Sequence, residues 1–487
     1  MKQGVYNVTE YGIVGDGVQN ATREIADLIQ TVKRAGGGTL YFPPGLYTSG
    51  TVMLESNMTL YLEAGAVLQA SGDPKDFPMV DSRRIPGWRA PTHAGFIAAI
   101  EAENVAVRGR GKLDGRGWFW WEGLGDHRPR SIQMISCDNV LIEGITIVNS
   151  PMWTVHPLCC NNVNIHGITI QNPYESPNTD GINPEGCSNV RISDCYIDVG
   201  DDCITLKSGK QDDLFIKQHP CQNIAITNCT MIHGHGAVVI GSEMSGGVKN
   251  VVISNCIFSH TDRGIRVKTR RLRGGTVEDI RMSNIVMDSV FCPIVLNSFY
   301  HCGTSEEEWP FTSSKLPQPV NEGTPAFRNF CFTGLTVKGV VAAACYVSGL
   351  PEMPVDGLTI DGLSVEIDAD PSLEPQHPAS TYDSLENPGM RGRGLFIHYA
   401  RHVLLKNIRL KLAGPEVSKP GCPAVTLTDL DDLLLDGLTL DGWTPDSPNG
   451  GAPVLLERSQ DAEFRLERLK RSIPLPVRVI ECRNVFC

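Results

Sequence analysis

A short frame recurs along this 487-residue chain: Asn or Asp, then alternating apolar residues, then Gly, Asn or Asp five places on, then an apolar residue at the sixth. It starts at Asn139, Asn162, Asn189, Asn223, Asn250 and Asp279, and continues at Asn329, Gly357, His402 and Asp432, with a weaker copy at Asn104. From Asn139 to Asp279 successive starts lie 23, 27, 34, 27 and 29 residues apart. Each unit carries short period-2 runs broken by Gly, Asn or Asp, the pattern of strands and not of helices. Units this short cannot bury their apolar faces alone and must stack on their neighbours. A parallel β-helix meets that demand, each coil adding strands about 4.8 Å from the last. Propeller blades would be longer and more regular.

The expected fold is therefore all-β, a single-stranded parallel solenoid, and the several domains that the length invites become one elongated domain over 1–487. Within it, 1–70 form the N-terminal cap and first coils, 104–302 the coils that carry chemistry, and 303–487 loop insertions and the C-terminal coils. Near the start, Ile25, Leu28, Ile29 and Val32 fall on one helical face ahead of Gly36, Gly37 and Gly38, which predicts a short helix over the first coil. The stretches from Cys302 to Phe327 and from Asp368 to Arg393 break the period and read as long loops, where functional segments collect.

The frame also accounts for the 16 cysteines. Its sixth position holds Ile145, Ile168, Cys195, Cys229, Cys256 and Ile285, so Cys alternates with Ile as a small apolar residue in a stack. With no Cys-x-x-Cys pair, neither a metal ladder nor a disulfide framework is expected. The N-terminus, from Met1 to Asn7, has no apolar segment behind it, and no apolar run reaches the ~20 residues of a membrane span. The chain reads as a soluble, cytoplasmic protein if Met1 is the native start, with no membrane partner. A net charge of −12 argues against a nucleic-acid partner and leaves room for an anionic ligand only at a local basic patch.

Polar residues gather at one place in the repeat. The segments beginning at Cys203, Ala237 and Gly264 align without gaps, fourteen places after their frame starts. Asp201 and Asp202 precede the first of these, His235 precedes the second, and Arg266 and Lys268 lie inside the third. One coil earlier, Asp180 aligns with Asp202 and Asn183 with Thr205. A lone Gly200-Asp201-Asp202 would be read as a turn. Three Asp in register with His, Arg and Lys are harder to explain that way, because like charges a coil apart repel. Crowding raises one carboxyl's pKa, so that one group stays protonated beside ionised neighbours, as glycoside hydrolysis requires. Arg and Lys beside them suit a substrate carboxylate, which implies an acidic sugar. Arg270, Arg271 and Arg273 extend the basic patch or form a solvated edge. No metal or other cofactor is called for.

Four motifs, Asn178-Thr179-Asp180, Gly200-Asp201-Asp202, Gly234-His235-Gly236 and Arg266-Val267-Lys268, occur in this order. Together they resemble glycoside hydrolase family 28, the polygalacturonases and their relatives. Val267 stands where that family usually has Ile, and the likeness thins after about residue 302. The resemblance implies a right-handed β-helix and hydrolysis with inversion. It implies Asp201 as general acid, Asp180 and Asp202 as activators of water, and His235 as the group that tunes the acid. Asn178 is expected at the substrate, and Arg266 and Lys268 on a galacturonate carboxylate. Tyr300 resembles the family's substrate-contacting Tyr, with a packing role as its rival, and His156 is a candidate for a further subsite. Retention of Arg266 and Lys268 favours galacturonides over rhamnogalacturonan, and the missing export segment favours short oligogalacturonides cut from a chain end. Trp118, Trp120 and Trp121 either stack on sugar or pack internally. The rivals are another pectin-acting member of the family, a Ca²⁺-dependent pectate lyase and a non-catalytic polysaccharide-binding β-helix.

Overall fold

The computed structural model describes residues 4–80, 92–123, 127–211, 218–368, 394–413, 423–444, 451–473 and 475–487. Nearly all of its regular structure is parallel strand, stacked coil on coil as the frame predicts, and it divides into two units, Met1–Gly234 and His235–Cys487. The expected Asp368–Arg393 loop lies outside the described residues apart from its first.

In the first unit the strands Glu103–Gly109, Asp138–Glu143, Asn161–His166, Ser188–Ser193 and Cys221–Thr227 pair in parallel. The register puts Val105, Val140, Val163, Val190 and Ile224 in one column. All five are buried, so each coil completes the core of the one before it. A second wall stacks Val52–Leu54, Ile97–Ile100, Ile132–Ile135 and Val155–Leu158, and single bridges from Val155 to Ile182 and from Ile182 to Ile204 extend it. The predicted helix forms as Thr22–Arg34, its Ile25, Leu28, Ile29 and Val32 buried.

The second unit uses longer strands: Thr276–Asp288, Ala326–Val340, Val355–Asp368, Leu395–Ala413 and Val425–Asp441. Ile280, Phe330, Leu358, Val403, Leu433 and Ala462 make its inner column. The Cys302–Phe327 segment is an excursion with one short helical turn, Trp309–Thr312.

The frame's first residue has a backbone cause. Asn104, Asn139, Asn162, Asn189, Asn223, Asn250, Asp279, Asn329, His402 and Asp432 all have φ between 52° and 59°. This is the left-handed region that Asn and Asp tolerate better than other side chains, and it turns the chain from one strand into the next. In the first unit their amides also stack, Asn104 donating to Asn57 at 2.9 Å, Asn139 to Asn104 at 2.7 Å and Asn162 to Asn139 at 3.2 Å. Cys195, Cys229 and Cys256 are buried like Ile145, Ile168 and Ile285, and every described cysteine is free. Cys137, Cys160 and Cys187 stack as well, each thiol near a backbone carbonyl. Among the described residues no helix is long and apolar enough to cross a membrane.

Candidate active site

In the first unit the carboxyls stand where the register predicts. Gly181 N–H donates to the Asp202 carbonyl at 3.0 Å and Ile182 N–H to the Cys203 carbonyl at 2.9 Å, so Asp180 stacks on Asp202 one coil apart. Both side chains are buried, while Asp201 keeps partial exposure and accepts from the Asp202 N–H at 2.9 Å. Gly200 allows this turn: a Cβ there would lie 2.6 Å from the Tyr174 carbonyl oxygen and 2.8 Å from that of Ser176.

Asp180 Oδ2 accepts from Asn183 Nδ2 at 2.9 Å and faces Thr205 Oγ1 at 3.4 Å. Burial, and then the charges of Asp201 and Asp202, push its carboxyl up to about 7, against the pull of Lys207. The cluster therefore holds a proton at neutral pH that an isolated Asp would have lost. Lys207 is itself buried, its ammonium 4.9 Å from the centre of the Trp153 ring. Sequence reasoning passed over Lys207 and Thr205 as site residues, although both lie on the aligned segment that begins at Cys203. The period-2 alternation that carries Cys203 to Thr205 and Lys207 was the available signal.

Asn178 has φ 55° and is exposed, its Oδ1 accepting from Arg128 Nη2 at 2.7 Å. Arg128 also donates to the carbonyls of Pro151 and Pro177, pinning the loop that delivers Asp180. No repeat position marks Arg128 in the sequence. His156 is corrected: it has no exposed surface, its Nε2 lies 3.0 Å from Glu185 Oε2, and Trp153 packs edge-on against it. It is a buried partner of Glu185, not a sugar subsite. Among the tryptophans, Trp120 is fully buried and Trp118 is half exposed.

The second unit opens with His235, which is buried. The residue before it, Gly234, closes the first unit with φ 77°, and a Cβ there would lie 2.4 Å from the Asp201 carbonyl oxygen. No side chain fits at that approach, which explains the glycine of the Gly-His-Gly motif.

Arg266 and Lys268 lie on the buried strand Arg263–Lys268, between Val238–Gly241 and Cys292–Asn297. Ile265 and Val267 point to the core, and alternation sends Arg266 and Lys268 to the other face. The Tyr300 ring centre lies 5.4 Å from the Arg266 guanidinium carbon and 5.4 Å from Lys268 Nζ, so this ring spans both cations. Tyr300 thus packs on the two residues expected to hold substrate.

Arg270, Arg271 and Arg273 are not a solvated edge; all three are buried. Arg271 forms a two-pronged pair with Glu352 at 2.6 and 2.9 Å and donates to the carbonyls of Phe311 and Ser314 at 3.2 and 2.7 Å. Arg270 reaches the Gly303 carbonyl at 3.0 Å and Glu308 at 3.3 Å. These two arginines hold the 302–327 excursion in place.

A parallel β-helix that stacks buried carboxyls on adjacent coils is the framework of a carbohydrate-cleaving enzyme. Residues 82–316 match the model of Glycosyl hydrolases family 28, and residues 5–114 match Rhamnogalacturonase A/epimerase, pectate lyase-like. A probable polygalacturonase of Vitis vinifera is 31% identical over 379 residues, 74% of each chain. The exopolygalacturonase of Thermotoga maritima superposes with a TM-score of 0.65 at 26% identity, covering 91% of this chain and 93% of that one. The family 28 exopolygalacturonase of Yersinia enterocolitica, at 20% identity and a TM-score of 0.64 over 99% of this chain and 78% of its own, shares the fold. The chain belongs to glycoside hydrolase family 28 and is a glycoside hydrolase.

Proposed function

We propose that the protein hydrolyses α-1,4 linkages between galacturonate residues with inversion, releasing galacturonate from the ends of pectin-derived oligosaccharides. The observation that carries this reading is the stack of Asp180 on Asp202 beside a partly exposed Asp201, in a chain that also buries Arg266 and Lys268 side by side against Tyr300. Asp201, the most accessible of the three, protonates the leaving oxygen. Asp180 and Asp202 take the proton of the attacking water; carboxylate oxygens of Asp201 and Asp202 lie within 4.8 Å of each other, closer than the roughly 6.5–9.5 Å typical of inverting enzymes. In its ionised form Asp180, whose carboxyl is pushed up to about 7, takes that proton more readily than an ordinary carboxylate. His235 tunes the acid, Arg266 and Lys268 hold the sugar carboxylate, and Asn178 contacts the substrate. Cutting from chain ends is supported by the likeness to the Thermotoga maritima exopolygalacturonase.

Product analysis on polygalacturonate and on defined oligogalacturonides tests the reading. Galacturonate as the sole early product, formed as the inverted anomer by NMR, is the expected result. A ladder of oligomers removes end-cutting but keeps hydrolysis. A Ca²⁺-dependent absorbance rise from unsaturated uronates, without new water-derived reducing ends, overturns hydrolysis itself.

A further inference from the structure

The 302–327 excursion presents one residue in a setting that ordinary surface lysines lack. The carbonyls of Ser314 and Leu316 accept from Arg271 at 2.7 and 3.5 Å, and the carbonyl of Lys315 between them accepts from the Tyr399 hydroxyl at 3.3 Å. Three consecutive carbonyls are thus tied down, and the Lys315 side chain leaves a fixed point. Its ammonium lies 3.1 Å from the centre of the Phe299 ring, and the Arg271 guanidinium carbon stands 5.6 Å from the same ring. Phe299 precedes Tyr300 in the chain. The two adjacent rings therefore each carry an Arg and a Lys: Arg266 and Lys268 on Tyr300, Arg271 and Lys315 on Phe299.

The two pairs differ in their anions. Glu352 already neutralises Arg271, whereas among the described residues Lys315 forms no ion pair. Lys315 nevertheless remains exposed at the surface. Partial removal from water, and then the Arg271 charge, lower its ammonium to about 8. A cation crowded by a ring and another cation, fixed in place yet open to solvent, is stabilised by an incoming anion.

We propose that Lys315 forms a second carboxylate-binding subsite, which takes the carboxylate of a neighbouring uronate in the same oligosaccharide; this rests on the galacturonide reading above. The Lys315 ammonium donates to the uronate carboxylate, Phe299 fixes its direction, and the 302–327 excursion is the element that sets preference for charged chains. Arg271 positions this element without touching the sugar.

The test compares wild type with Lys315→Met and Lys315→Arg on trigalacturonate. The expected result for Lys315→Met is a KM about tenfold higher with a smaller fall in kcat, the scale of one charge-assisted hydrogen bond. Lys315→Arg should recover most of the loss, and the difference should shrink in 0.5 M salt. An unchanged KM in Lys315→Met overturns the subsite. So does a Lys315→Arg as weak as Lys315→Met, which marks a packing role. Calorimetric binding of trigalacturonate separates this from failure of the parent reading. If wild type binds but never hydrolyses, the functional reading falls while weaker binding by Lys315→Met still supports the subsite. Equal binding by the two removes it.

Discussion

The first unit crowds the carboxyls of Asp201 and Asp202 around Asp180, and the second lays Arg266 and Lys268 side by side on one strand face. Both arrangements bring like charges together out of water, and they relieve the repulsion differently. A carboxyl can keep a proton, and Asp180 does so up to about 7. Guanidinium and ammonium groups give up charge far less readily. The second unit sets theirs against the Tyr300 ring, which attracts cations without cancelling them. The difference matches the proposed work: the acidic cluster must exchange protons, and the basic one must stay charged to hold an anion.

The largest effect is expected from breaking the acidic side. Asp201→Asn should lower kcat by more than ~10²-fold with little change in KM, whereas Arg266→Gln should act mainly through KM, by about 10–100-fold. Steady-state kinetics on trigalacturonate decide it, and a matching loss through kcat in both variants would erase the division of labour. Next comes the arginine that is neutralised. Removing Arg271 leaves Glu352 unpaired and unties the excursion, so Arg271→Met should cost about 3–5 kcal/mol by chemical denaturation.

The proton on Asp180 gives a signed prediction. Its native value lies above the ordinary 3.8, so the stability it contributes is complete in acid and is lost as pH rises towards and through about 7. Asp180→Asn should therefore be inactive, yet should gain about 2–5 °C in Tm over wild type on going from pH 5 to pH 8. A constant difference across that range would mean that Asp180 is ionised throughout. The smallest effect concerns the scaffold common to both units. Asn162→Ala should cost about 1–2 kcal/mol and Asn162→Gly less, because only the backbone at φ 52° resists the change in the first case.

Much of this was legible in the chain. The frame starts at Asn139, Asn162 and Asn189 foretell the register of their strands, since one residue type at one offset reports a backbone turn that every coil must make. The same counting set Asp180 on Asp202 and Val239 beside Arg266, as the structure has them. It was less informative for side chains whose partners come from distant coils. His156 sits in register with Gln133, but only the fold shows that it faces Glu185 in a dry interior. Arg271 and Arg273 read equally well as solvated charges until the excursion is seen to close over them.

The sequence by itself determined the coil repeat, the cap helix and which polar residues share a column, because these follow from local backbone preference and periodicity. Only the tertiary structure decided which of those groups are dry, which proton is retained and where Lys315 points. Burial and electrostatic coupling depend on everything packed around a group, and the neighbours of Asp180 and Arg271 lie up to 81 residues away in the chain.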